Sequence, residues 1–163
     1  MMVYNQATAD DYAQLLALNE AAIPAVNRID TGELEHLHQQ CEVLLTARQG
    51  DRLAGFLLAL NESADYGSLN YQYFLRHYDR FAYVDRVVVS EDFRRQGVGA
   101  ALYTELFVHT PDVPLITCEV NVVPPNPGSL AFHEQLGFEV VAEQDTEGGA
   151  KRVALMVRAR NLP

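Results

Sequence analysis

Apolar positions along the chain gather in short runs, and the spacing inside each run distinguishes strand from helix. Val3 to Gln6 reads as a short strand. Thr8 opens a helix, with Asp11 three residues on and Tyr12, Leu15, Leu16 and Leu18 along its apolar side. Glu20 to Asp30 is irregular and broken by Pro24, and Asp30 caps a second helix through Glu33, Leu34 and Leu37. Val43 to Arg48 and Leu53 to Leu60 read as strands, joined through the turn Gln49-Gly50-Asp51-Arg52. Ala82 to Val89 is an apolar strand interrupted by Asp85 and Arg86. A helix follows from about Gly97 to Val108, then a strand from Leu115 to Val122. Ser129 to Leu136 is a short helix ended by Gly137, and Phe138 to Glu143 and Val153 to Val157 are the last strands. The pattern predicts a mixed α/β (α+β) domain: about four helices packed on a largely antiparallel sheet of seven strands.

Residues 62 to 81 depart from this rhythm. They are polar yet dense in aromatics, with Tyr66, Tyr71, Tyr73, Phe74, Tyr78 and Phe81. So many aromatics argue against disorder, and a connection this long inside a compact domain is a candidate functional segment. A short helix from about Leu69 to His77 fits it. The tyrosines could line an aromatic wall for a cation. They could equally close the segment over the core or form a dimer interface.

Length and charge narrow the reading. The chain has 163 residues, enough for a single domain over residues 1–163 with its own core. The net charge is −10, and no basic footprint for nucleic acid is visible. An anionic surface suits a cationic amine, although solubility alone also explains it. No run reaches the roughly 18 apolar residues of a membrane span, and the first residues lack the pattern of a signal peptide. The expectation is a cytoplasmic protein without a membrane partner. Cys41 and Cys118 make no disulfide framework. His36 and His38 sit two apart and share no helix face, so no metal site is expected.

The most informative segment is Arg94-Arg95-Gln96-Gly97-Val98-Gly99-Ala100, between a strand and a helix. The first turn of a helix carries amides without an internal partner, and the helix dipole adds positive potential there. Glycines at 97 and 99 let an anion approach the backbone, and two arginines add charge that grips phosphate oxygens. An acidic protein could bind a polyanion in this way. A bare Gly-x-Gly also fits a helix start that binds nothing. The segment lacks the third glycine of a dinucleotide fingerprint and the Gly-Lys-Ser/Thr of a P-loop.

Val84-Asp85-Arg86-Val87-Val88-Val89-Ser90 followed by Arg94-x-x-Gly97-x-Gly99 resembles the central acetyl-CoA motif of the GNAT superfamily of N-acetyltransferases. A second block, Asn126-x-x-Ser129-x-x-Phe132-His133-x-x-Leu136-Gly137-Phe138, is similar to that family's Asn-x-x-Ala-x-x-Phe-Tyr-x-x-Leu-Gly-Phe. The resemblance implies the GNAT fold, with the strands at 82–89 and 115–122 splayed apart, and acetyl-CoA as co-substrate without a metal. It implies contacts from Val87, Val88 and Val89 to the pantetheine arm. The pyrophosphate would lie on Arg94, Arg95, Gln96, Gly97, Val98, Gly99 and Ala100, and Asn126, Ser129 and Phe132 would flank the cofactor. The implied reaction is direct transfer of an acetyl group to a primary amine of a small molecule or peptide. The alternative is a non-catalytic acyl-CoA-binding domain. Homodimers are common in the family.

An amine must be neutral to attack, so a base or a water chain helps. Asp85 and Glu119 are the candidates, one on each splayed strand. Asp85 competes with a structural role as an ion-pair partner of Arg86 or Arg80. His133 stands where many members have a tyrosine acid. It could donate a proton or merely occupy the helix. Tyr83 and Tyr103 have weaker positional claims. Cys118 precedes Glu119 and should face the opposite side of its strand as a buried, inert thiol. Two segments are expected to shape the acceptor pocket: Asn19 to Asp30, and Tyr66 to Phe81.

Overall fold

Seven of the apolar runs pair into one sheet. The computed structural model describes Met1 to Arg160. Its strands are β1 (Met2–Gln6), β2 (Val43–Gln49), β3 (Arg52–Asn61), β4 (Ala82–Val89), β5 (Leu115–Val123), β6 (Glu139–Thr146) and β7 (Lys151–Ala159). Its helices are α1 (Tyr12–Ala21), α2 (Thr31–Gln40), α3 (Leu69–His77), α4 (Val98–His109) and α5 (Pro127–Gln135). The strand order is β1-β2-β3-β4-β5-β7-β6. The pairs β1/β2, β2/β3, β5/β7 and β6/β7 are antiparallel, and β4/β5 is parallel. The aromatic stretch contributes α3 as a full element, which brings the α-helices among the described residues to five. The chain forms two compact units, one from Met1–Leu60 with Arg86–Pro111, the other from Asn61–Asp85 with the residues after Pro111.

In the first unit, Val43 to Ala47 and Ala54 to Leu60 are buried at every position. Strands covered on both faces read as near-continuous apolar runs; in β2 the run is interrupted by the buried Thr46, whose hydroxyl donates to Asn5 O at 3.3 Å. α4 packs on β2 through the stripe Val98, Leu102, Leu106. Each such leucine contributes roughly 1.5–3 kcal/mol by leaving water. α2 begins at a reciprocal cap: Glu33 N donates to Asp30 Oδ1 at 2.8 Å, and Asp30 N donates to Glu33 Oε1 at 3.3 Å. Thr8 caps a short 3₁₀ turn, Ala9–Asp11, and α1 starts only at Tyr12. The inward face of α1 also differs from the apolar pattern. Leu15 is its buried leucine, Leu16 and Leu18 are half-buried, and the polar Asn19 is buried with Leu15.

In the second unit, Ser68 caps α3 by accepting from Tyr71 N. Tyr71 and Phe74 turn inward and meet the rings of Phe81 and Tyr83 at 5.5–6.2 Å. α5 packs on β5. β5 pairs with β7 from Leu115↔Ala159 to Val123↔Arg152. The parallel β4/β5 ladder, by contrast, comprises Ala82↔Ile116 and Tyr83↔Thr117.

Candidate active site

The candidate residues divide between the two units. The first unit carries the second half of β4 and the start of α4. Val88 is buried, while Val87 and Val89 are half-buried on the opposite face of the strand. Behind β4, Ser90 N donates to Ala54 O at 2.8 Å, and the turn Glu91–Phe93 follows. Arg52 braces that turn with an ion pair to Asp92 at 2.8 Å and its guanidinium 4.7 Å from the centre of the Phe93 ring. Arg95 and Gly97 then adopt positive φ, 63° and 76°. Only glycine takes that conformation without strain.

Gly97 is the N-cap of α4, and the first intrahelical bond runs from Ala101 N to Gly97 O at 3.0 Å. The amides of Val98, Gly99 and Ala100 precede that bond and are the unpaired donors of a helix start. Arg94, Arg95, Gln96 and Gly97 are exposed, and a Cβ at Gly97 would meet no atom within 4 Å. The segment therefore offers amides, two guanidiniums and open space, which fits an anion of phosphate size.

Gly55 seats this helix, and its role is invisible in the sequence pattern. A Cβ there would lie 2.7 Å from Val88 O, 3.3 Å from Val98 Cγ1 and 3.4 Å from Leu102 Cδ1. β3 can lie this close to β4 and α4 only through a residue without a side chain.

The second unit holds the carboxylates. Tyr83 is fully buried, and its hydroxyl donates to Glu119 Oε1 at 2.8 Å. Tyr66 donates to Asp85 Oδ1 at 2.6 Å. Tyr71 links the two phenols, with ring centres 5.7 Å from Tyr66 and 5.5 Å from Tyr83. Burial pushes the Tyr83 phenol well above its ordinary pKa, and the charges of Glu119, Asp85 and Tyr66 push it further. It therefore stays protonated and acts as a fixed donor. The structure thus gives each carboxylate its own phenol donor, Tyr66 for Asp85 and Tyr83 for Glu119. Arg86 donates its Nη1 to Asn19 and Asn27. Cys118 is buried beside the half-buried Glu119.

The tyrosines of the aromatic segment take different roles. Tyr71 is core, and its hydroxyl is spent on the main chain of Asn61 and Ala64. Tyr66 reaches Asp85, Tyr73 stacks on His77 at 4.0 Å and Tyr78 stacks on Phe74 at 6.2 Å.

The residues of the second sequence block form one chain of bonds along α5. Asn126 caps the helix by accepting from Ser129 N at 3.3 Å. His133 Nδ1 lies 2.8 Å from Ser129 O and 3.3 Å from Ser129 Oγ. A carbonyl only accepts, so the Nδ1 carries the proton. The ring is 3% exposed and packs edge-on against Phe132 and Phe138. Burial lowers its pKa, with the bond to Ser129 opposing, and the imidazole is held neutral. Among the described residues no group of three or more His, Cys, Asp or Glu is arranged to hold a metal ion. No helix among them is long and apolar enough to cross a membrane.

Comparison with known proteins gives a family model and a set of folds. The model described as the acetyltransferase (GNAT) family matches residues 10–138. No curated protein sequence matches. Ard1 from Thermoplasma volcanium is 16% identical, with 98% of each chain covered and a TM-score of 0.79. NAA60 from Arabidopsis thaliana, crystallised with acetyl-CoA, is 15% identical over 98% of this chain and 100% of that one, with a TM-score of 0.76. A ribosomal-protein-alanine N-acetyltransferase from Brucella melitensis is 20% identical over 97% and 99%, with a TM-score of 0.72. At such identities the likeness is one of fold.

Proposed function

From the premise that the chain belongs to the GNAT acetyltransferase family, we propose that it transfers an acetyl group from acetyl-CoA to a primary amine of a small molecule or peptide. The observation that carries this reading is the start of α4. Three open amides stand behind a left-handed Gly97, flanked by Arg94 and Arg95. In an acidic protein this concentrates the local positive potential that the phosphates of CoA require. Gln96 belongs to the same cradle. Val87, Val88 and Val89 would hold the pantetheine arm, and Asn126, Ser129 and Phe132 would flank it. The thioester supplies the activated acetyl group.

The chain's own part is to position the amine and remove its proton. We assign proton acceptance to Glu119. Tyr83 holds one of its oxygens in a fixed direction, which orients the carboxylate for an incoming amine. Asp85, bonded by Tyr66, would bind and orient the ammonium form before attack. The new C–N bond forms as the C–S bond breaks. The ammonium gives its first proton to solvent water before attack; the second, released as the amide forms, passes to Glu119, and CoA leaves as a thiolate that solvent protonates. A thiol of ordinary pKa, about 8.5, leaves without a dedicated acid. His133 therefore serves best as a packing residue of α5, because a neutral ring with its proton on Nδ1 must take up a second proton before its other nitrogen can donate. The segments at Asn19–Asp30 and Tyr66–Phe81 would border the acceptor. A cytoplasmic location and a homodimer belong to the same reading.

The test is CoA release from acetyl-CoA across a broad amine panel, with CoA binding followed in parallel. Acceptor-dependent release is the expected result. CoA binding with no release on any amine would favour an acyl-CoA-binding domain.

A further inference from the structure

β4 presents its two faces to different tasks. Asp85 and Val87 share one face. Arg86 points the other way and is 5% exposed. Its strand neighbours on that face, Val84 and Val88, are apolar and buried. An arginine in such a place needs its donors satisfied. Arg86 Nη1 donates to Asn19 Oδ1 at 2.8 Å and to Asn27 O at 3.0 Å. Asn19, 1% exposed near the end of α1, donates its Nδ2 to the same Asn27 carbonyl at 2.9 Å. Three residues thus close a ring of three hydrogen bonds.

That ring ends on the main chain of an exposed connection. Residues 22–30 join α1 to α2, and Ile23, Pro24, Ala25, Asn27, Arg28 and Asp30 are all exposed. Such a segment buries little apolar surface, so polar tethers weigh heavily in its conformation. The tether at Asn27 holds a main-chain atom, which fixes the path of the connection whatever the side chain at 27 does.

We propose that Arg86 is a positioning residue that fixes the 22–30 connection on β4, and that this connection sets the affinity for the acceptor amine. The second half rests on the reading above that Asn19 to Asp30 borders the acceptor. The first half rests on the bonds alone.

Hydrogen exchange over residues 22–30, with and without CoA, reads the tether directly, and steady-state kinetics read its consequence. In Arg86→Met, amides in 22–30 exchange faster. The acceptor KM rises about tenfold, while kcat and the acetyl-CoA KM stay within about twofold. Arg86→Lys restores part of the protection, because the bonds to Asn19 and Asn27 leave from one nitrogen that an ammonium can replace. Asn19→Ala breaks the ring from the other side and reproduces Arg86→Met, which covers the case of a poorly folded Met variant. Unchanged exchange in folded Arg86→Met or Asn19→Ala overturns the tether. Faster exchange with an unchanged acceptor KM overturns the role in acceptor affinity. The exchange experiment needs no turnover, so the tether stands or falls by it even if no amine is acetylated and the reading of function fails.

Discussion

The start of α4 and the carboxylate group on β4 and β5 are built by opposite means. The first is made of consecutive main-chain atoms: Gly97 bends the chain, and Val98, Gly99 and Ala100 present amides. The second is made of side chains from distant positions. Tyr66 comes to Asp85, and Tyr83 comes to Glu119 across 36 residues of sequence. A main-chain site tolerates change in its side chains and fails when its backbone conformation fails. A side-chain site fails one functional group at a time. Mutations should therefore separate the two, one acting on binding and the other on rate.

The largest effect is expected on rate. Glu119→Gln keeps the size of the side chain and removes its capacity to take a proton. We expect kcat to fall by about 10²–10³, as loss of a general base does, with CoA affinity unchanged. Tyr83→Phe should cost less, about tenfold in kcat, because it removes only the donor that orients Glu119. Stopped-turnover measurements beside CoA titrations read both. If Glu119→Gln retains kcat while Asp85→Asn loses it, the two carboxylates exchange roles.

Next comes binding. Gly97→Glu forces an L-residue into φ 76° and sets a carboxylate where the phosphates would lie. CoA affinity should fall at least about a hundredfold, the size of losing a charge-assisted contact and adding repulsion. Nothing lies within 4 Å of a Cβ at this position, so the fold should survive. A folded Gly97→Glu with normal CoA affinity by titration calorimetry would remove the start of α4 from the site.

The same contrast explains what could be read without coordinates. Element order, the cap at Asp30, the helix start near Gly97 and the helix at 69–77 are written in neighbouring residues, and each was legible; the left-handed conformation of Arg95 and Gly97 was not. Glu119 and Asp85 were legible as candidates because the family resemblance implies that their two strands splay apart around the reacting groups. Their phenol donors were not, since the meeting of Tyr83 with Glu119 depends on the β4/β5 register. Asn19 was missed because apolar spacing cannot rank a polar residue on a helix's buried face. Arg86 was weighed only as an ion-pair partner of Asp85, and its bonds to α1 and the following connection were not legible, because they join positions 59 and 67 residues apart. Gly55 was missed because a glycine inside a strand carries no sign of what approaches it. Gly55→Ala tests that last point. With Val88 O 2.7 Å from the new Cβ, the backbone must shift, and overpacking of this kind costs about 1–3 kcal/mol. Thermal unfolding should fall by roughly 2–4 °C for each kcal/mol in a chain this size. An unchanged melting temperature would mean that β3 gives way freely and does not seat α4.

The smallest effect concerns His133, and here the sign matters. Burial lowers the folded-state pKa below the ordinary value of about 6.5, because a charged imidazole beside Phe132 and Phe138 is poorly solvated. Below about pH 6.5 the unfolded chain takes up this proton while the folded one still excludes it. His133 therefore contributes stability that is complete above that pH and is lost as the pH falls toward the folded pKa. The slope for one proton is at most about 1.4 kcal/mol per pH unit. His133→Gln removes the titration, so the stability difference between the two proteins should narrow as the pH falls below about 6.5. Denaturant unfolding across that range measures it. A difference that stays constant with pH would mean that the folded protein accepts the proton as readily as the unfolded chain. An imidazolium would then be accessible in the fold, and His133 would regain its claim to protonate the leaving thiolate.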